Sequence, residues 1–143
     1  MTMTSVKSHR SPATIMVVDD EPRACRLFEK LFREENYQVV TATSGRRALV
    51  LAAEVQPQLI LLDIVMPDMD GVATFRELRR LGHLGTVIML TAQGTLQTAR
   101  EAMLLGAYDY ITKPFNLGFL KSVVREGLRV HRRAERKGHA CAP

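Results

Sequence analysis

The chain has 143 residues, 46% hydrophobic and 24% charged, which suits one water-soluble domain with one real core. Its longest apolar runs are strand-length, and its first twelve residues carry Lys7, His9 and Arg10 without an apolar h-region, so neither a transmembrane segment nor a secretory signal is expected. The net charge is +5, and the segment Lys121 to Lys137 alone supplies it, with seven bases against Glu126 and Glu135. The basic character therefore belongs to one C-terminal helix and not to a domain-wide face, and neither direct nucleic-acid binding nor a membrane partner is expected.

Thr14-Ile15-Met16-Val17-Val18 is a β-rich run ending in Asp19-Asp20-Glu21-Pro22. Pro22 suits the first turn of a helix. Ala24, Leu27, Phe28, Leu31 and Phe32 then fall at i, i+3, i+4, i+7 and i+8, one apolar helix face. Asn36 can end that helix in a left-handed cap. A second strand runs from Gln38 to Thr43. Ser44 is placed to cap a helix carrying Ala48, Leu49, Ala52 and Val55, which Pro57 stops. Leu59-Ile60-Leu61-Leu62 is a short apolar run, the mark of a strand buried on both faces, and it leads straight into Asp63.

Gly71 to Arg80 reads as a third helix with Val72, Phe75 and Leu78 inward. Thr86 to Leu90 is a fourth strand ending in Thr91-Ala92. Thr95 can cap a helix from Leu96 to Leu105, and Gly106 terminates it. Tyr108 to Thr112 is the fifth strand. Lys113 follows, and Pro114 can close a tight turn through a cis bond. Asn116 caps a last helix from Leu117 to about Arg136. Gly127 is a weak point inside that helix, at about 1 kcal/mol against Ala. Cys25 and Cys141 form no CxxC and read as free thiols in a reducing cytoplasm. The expected division is a disordered tail over residues 1–12, a folded unit over 13–129, and a basic helical extension and tail over 130–143.

Strands alternating with helices over short connections call for an α/β, flavodoxin-like (βα)5 fold. Its five-stranded parallel sheet would have the order 2-1-3-4-5 and helices on both faces. That order sets the ends of strands 1 and 3 side by side, where Asp19, Asp20 and Asp63 would converge. At about 5 Å and an effective dielectric near 20, each carboxylate pair repels by roughly 3 kcal/mol. A cation among them relieves this, and all-oxygen ligands select Mg²⁺, Mn²⁺ or Ca²⁺ over zinc. A carboxylate held beside Mg²⁺ can attack phosphorus and form an aspartyl phosphate. The hydroxyl of Thr91 and the ammonium of Lys113 come from neighbouring strand ends, and such groups stabilise a transferred phosphoryl.

The stretches Val17-Val18-Asp19-Asp20-Glu21-Pro22, Leu61-Leu62-Asp63-Ile64-Val65-Met66-Pro67-Asp68-Met69-Asp70-Gly71, Leu90-Thr91-Ala92 and Tyr110-Ile111-Thr112-Lys113-Pro114-Phe115 resemble the receiver domain of bacterial response regulators, over roughly Ala13 to Arg129. The resemblance implies that Asp63 is the phosphoacceptor, that Asp19 and Asp20 hold Mg²⁺ (or Mn²⁺), and that the Val65 backbone carbonyl completes the metal shell. It implies that Thr91 and Lys113 contact the phosphoryl group and that Tyr110 swings inward when Thr91 moves. The donor it implies is a sensor histidine kinase or a phosphotransfer protein.

On this reading the chain is a cytoplasmic phosphorylation-controlled binding module and not an enzyme with an external substrate. It would be a stand-alone receiver or the receiver piece of a transcriptional activator. An aspartate-nucleophile phosphohydrolase would pair its nucleophile with a second Asp two residues later, where this chain has Val65. A flavodoxin-like electron carrier would need a Ser/Thr-rich loop where this chain has Asp19-Asp20. No GxxxxGK[ST] occurs. A homodimer of the phosphorylated form is a further expectation, pairing Glu101 and Asp109 with Lys121, Arg125, Arg129 and Arg132.

Overall fold

Four short apolar runs pair side by side in parallel, and a fifth closes the edge. The computed structural model describes residues 11–141, so the expected disorder over 1–12 lies outside the described residues except at Ser11 and Pro12. The elements run β1 (Thr14–Val18), α1 (Pro22–Glu34), β2 (Gln38–Ala42), α2 (Gly45–Val55), β3 (Leu59–Leu62), α3 (Gly71–Arg80), β4 (Thr86–Thr91), α4 (Leu96–Leu104), β5 (Asp109–Thr112) and α5 (Leu117–Cys141). The five strands form one sheet in the order β2-β1-β3-β4-β5, with every pairing parallel. No described helix is long and apolar enough to cross a membrane.

Helices on both faces explain why β3 shows no polar alternation: all four of its residues are buried. Ile15, Val17, Leu59, Leu61 and Ile88 pack with Phe28, Phe32, Leu120 and Val124 under α1 and α5. Met16, Val18, Ile60, Leu62 and Met89 pack with Ala48, Ala52, Phe75 and Leu78 under α2 and α3. Burying Phe32 or Phe75, both fully enclosed, stabilises the fold by about 1.5–3 kcal/mol each.

The sequence signals for helix ends hold. Ser44 Oγ accepts from the Arg47 N–H at 3.1 Å and Asn116 Oδ1 from the Phe119 N–H at 3.0 Å. Thr95 and Thr98 form a reciprocal capping box. Asn36 takes a left-handed φ of 69° after α1, and the Lys113–Pro114 bond is cis.

Several expectations need correction. Leu27 is exposed at 52%, while Cys25 is buried at 4%. At about 100° per residue, the inward arc of α1 is centred on Cys25, Phe28 and Phe32, and Leu27 falls outside it. β2 ends at Ala42 and not at Thr43, because the Ala42 carbonyl takes the last ladder bond, from the Asp19 N–H at 3.1 Å. Tyr108 precedes β5, and α5 continues past Arg136 to Cys141. Gly127 has a packing reason. A Cβ there would lie 3.1 Å from Leu59 Cδ1 and 3.2 Å from Thr86 Cγ2. The Thr86 hydroxyl also donates to the Gly127 carbonyl at 3.1 Å. The missing side chain lets α5 rest directly on the starts of β3 and β4.

Candidate functional site

The register Val18↔Leu62 places Asp19 and Asp63 side by side, each one residue past its strand. β4 runs on the other flank of β3 with Leu62↔Met89, and β5 adds Thr91↔Thr112. Asp19, Asp20, Asp63, Thr91 and Lys113 thus gather at the carboxyl edge of the sheet, as the 2-1-3-4-5 order requires. Asp19, Asp20 and Asp63 each offer a carboxylate oxygen, and the three oxygens lie within 4.8 Å of one another. A cleft of about 620 Å³ lined by Ala13, Tyr37, Gln58, Leu128 and His131 sits near the strand starts, away from these groups.

Backbone amides hold the acids. Asp19 Oδ1 accepts from the Glu21 N–H at 2.9 Å, and Asp63 Oδ1 accepts from the Val65 N–H at 3.2 Å. That leaves Asp19 Oδ2 and Asp63 Oδ2 facing Lys113 Nζ, at 3.4 and 3.7 Å. One ammonium therefore serves two carboxylates. Burial pushes the Asp63 carboxyl above the usual carboxylate range, and Asp19 adds to this, while Lys113 and the Val65 and Ile64 amides oppose it. Asp63 is 9% exposed and Asp19 3%, whereas Asp20 is open to solvent. A cluster of hard oxygen donors with one open side fits a divalent cation that keeps some of its water.

Thr91 is fully buried, and its Oγ accepts from the Gln93 N–H at 3.2 Å. Its carbonyl accepts from the Lys113 N–H at 2.8 Å, so β4 and β5 hold both residues by one backbone bond. Tyr110 lies one strand further out, on the helix-side core. Its hydroxyl is 3.1 Å from Thr98 Oγ1.

Three contributors were not assigned to the site by the sequence. The Cys25 thiol donates to the Asp19 carbonyl at 3.3 Å; its signal was only a cysteine at an i, i+3 spacing with Phe28. A Cβ on Gly71 would lie 2.7 Å from Ile64 Cα and overlap the Asp63 carbonyl. The turn from Asp63 therefore folds back against the start of α3, with Gly71 N–H to Ile64 O at 2.8 Å. A Cβ on Gly94 would overlap the Tyr110 hydroxyl oxygen, so this glycine leaves room for the tip of that side chain. The expected acid–base pairing across two subunits meets competition within one: Glu101 faces Arg76 at 3.6 Å. Lys121 and Arg125 both face Glu35 at 3.9 Å.

Residues 15–125 match the sequence family described as the response regulator receiver domain. The chain is 38% identical over 116 residues to the regulatory protein AtoC of Escherichia coli, covering 81% of this chain and 25% of that protein. It is 38% identical over 114 residues to the transcriptional regulatory protein ZraR of Escherichia coli, covering 80% of this chain and 26% of that one. The chain spans about a quarter of the length of these relatives. Among solved structures, a CheY-like response regulator receiver domain protein from Methanospirillum hungatei superposes with a TM-score of 0.83 and 27% identity. That match covers 87% of this chain and 99% of the other.

Proposed function

The chain belongs to the response regulator receiver domain family, and from that premise we propose that Asp63 is its phosphoacceptor, loaded by a sensor histidine kinase or a phosphotransfer protein. The observation that carries this is the convergence of Asp63 with Asp19, Asp20 and Lys113 at one sheet edge. An Asp63 carboxylate oxygen attacks phosphorus in line, the phosphorus–nitrogen bond to the donor histidine breaks, and an acyl phosphate forms on Asp63. The Val65 N–H holds Oδ1 and fixes the carboxylate's rotation as the group reacts. Lys113 already faces Asp63 Oδ2, within a short swing of a phosphoryl oxygen bound there. The Thr91 hydroxyl supplies a donor from the adjacent strand.

Asp19, Asp20, Asp63 and the Val65 carbonyl would hold Mg²⁺, with Mn²⁺ as a substitute. The bound ion would offset the clustered negative charge and the charge on the phosphoryl oxygens. These groups act on their own carboxylate, so the chain catalyses its own phosphorylation and dephosphorylation and turns over no separate substrate. A histidine-kinase donor places it in the cytoplasm.

The surface that responds is α4, β5 and α5, where Leu96, Leu104 and Phe119 are exposed and Tyr110 reaches Thr98. Direct nucleic-acid contact is not assigned to this surface, since its bases are concentrated on α5 and partly matched by Glu35 and Glu126. The test is intact-mass analysis after acetyl phosphate. The wild type gains one phosphoryl group only with Mg²⁺ or Mn²⁺, and Asp63→Asn gains none. Full labelling of that variant would refute the assignment.

A further inference from the structure

We propose that the cleft at the strand-start edge of the sheet binds a nucleoside phosphate, with the phosphate held by Arg132 and Arg136 and the base set among Tyr37, Asn36 and Gln58. Ala13 and Gln58 in its lining each precede a strand, so the cleft lies at the edge opposite Asp63. The proposal therefore does not depend on the phosphoacceptor reading.

The charge comes from α5. Leu128, Arg132 and Arg136 recur every four residues and so form one stripe along the helix. Leu128 is buried in the core under the sheet, and both arginines are exposed and line the cleft. Most other charges on α5 are paired: Lys121 and Arg125 face Glu35, Arg129 faces Glu126, and His131 faces Glu135. Among the described residues, Arg132 and Arg136 enter no such pair. Glu135 also lines the cleft, but it is taken up by His131 at 3.1 Å. Two guanidiniums one turn apart suit a phosphate, whose oxygens a guanidinium can take two at a time.

The remaining wall is fixed by the backbone. The Gln38 N–H donates to the Ala13 carbonyl at 2.9 Å, and the Gln58 N–H donates to the Thr14 carbonyl at 3.0 Å. These bonds tie the starts of β2 and β3 to β1. The Gln58 carboxamide oxygen accepts from the Thr14 N–H at 2.7 Å, which leaves its amide nitrogen to donate to a ligand. Asn36, left-handed at a φ of 69°, brings a second carboxamide. Tyr37 is half-buried, with its ring tilted against Phe32 at 6.3 Å. Burial pushes its hydroxyl pKa up while Arg125 and Arg132 oppose this, so Arg132 and the ring share one neighbourhood.

Such a lining separates ligand classes. Inorganic phosphate would use the arginines alone. An aliphatic acid would take water from both carboxamides and return no hydrogen bond. A nucleobase offers a flat face to Tyr37 and an edge of donors and acceptors to Asn36 and Gln58. The cleft's volume of about 620 Å³ is within the range of small-molecule sites.

The test titrates the ¹⁵N-labelled full chain, with chelator present, with AMP, GMP, CMP and UMP. At least one should shift the amides of Asn36, Tyr37 and Gln58 and leave those of Asp63 and Thr91 in place. That nucleotide should bind about tenfold more tightly than its parent nucleoside or inorganic phosphate. Arg132→Ser and Arg136→Ser should each weaken it about tenfold, and Asn36→Gly, which keeps the left-handed turn, severalfold. Arg133→Ser, outside the lining, should change it by less than about twofold. All of these positions are exposed, so the unliganded spectra should otherwise match wild type. No shift at the cleft with any nucleotide overturns the proposal. Phosphate or nucleoside binding as tightly as the nucleotide overturns it too. So does an equal loss from Arg133→Ser, which would reduce the site to the general charge of α5.

Discussion

Asp63 is held in an environment that its ionised form resists. Burial and Asp19 raise its folded pKa above the ordinary value of 3.8, so the folded chain binds that proton more tightly than the unfolded chain. Ionised Asp63 therefore destabilises the metal-free fold above its folded pKa. The penalty fades as pH falls from that pKa toward the unfolded value. Asn cannot ionise and removes the penalty. With chelator present, Asp63→Asn should melt at a higher temperature than wild type at pH 7, and the two should converge on acidification toward about pH 4. Equal melting at pH 7 would show that Lys113 fully compensates. Asp20 differs from Asp63 in being open to solvent. Asp20→Ala should weaken Mg²⁺ binding by more than about tenfold, since it takes one charge from a small ligand set, while changing apo stability less than Asp63→Asn does. Unchanged affinity by titration calorimetry would put the cation elsewhere.

Among the elements, α5 shows how propensity and packing oppose each other. Alanine at position 127 would gain up to about 1 kcal/mol of helix propensity. Its Cβ would press on Leu59 Cδ1 at 3.1 Å and Thr86 Cγ2 at 3.2 Å, and Leu59 is fully enclosed. A branched residue adds atoms where nothing can retreat. Gly127→Val should lower stability by about 1–3 kcal/mol in urea melts, as overpacking does. A more stable variant would mean that α5 can lift from the sheet without cost. α3 has a different tether at its end: the Arg79 guanidinium donates to the Gly85 carbonyl at 3.0 Å and stacks 4.8 Å from the centre of the Phe75 ring. The turn into β4 is thereby fixed to the helix before it.

At the scale of the molecule, the proposed self-association would rest on the face formed by α4, β5 and α5. Four of the six acids and bases that could pair two copies already have partners in one: Glu101 faces Arg76, Lys121 and Arg125 face Glu35, and Arg129 faces Glu126. Exposed pairs contribute about 0–1 kcal/mol each, so exchanging them across an interface gains little. Exposed Leu104 and Phe119 would supply the net attraction. Sedimentation velocity should therefore show weak self-association with Mg²⁺ and beryllofluoride, only mildly reduced by salt, and a monomer without them. A monomer under both conditions at all concentrations would reject the dimer and leave Asp63 untouched.

The chain's own order of residues determined the alternation of elements, the caps at Ser44, Thr95 and Asn116, and the strand order. Each of these follows from local periodicity or from handedness, which need no knowledge of distant contacts. Asp19, Asp63 and Lys113 were legible as a cluster for the same reason: in a parallel sheet of known order, a residue just past a strand has only one edge to occupy. Other features depended on how helices settle against the sheet. Whether Leu27 or Cys25 faces inward turns on the rotation of α1, which its periodicity leaves open within one residue. The meanings of Gly94 and Gly127 lie in clearances of a few ångströms to Tyr110, Leu59 and Thr86, residues on other elements. A glycine in a sequence carries no mark of what it makes room for; the packed tertiary structure decides that.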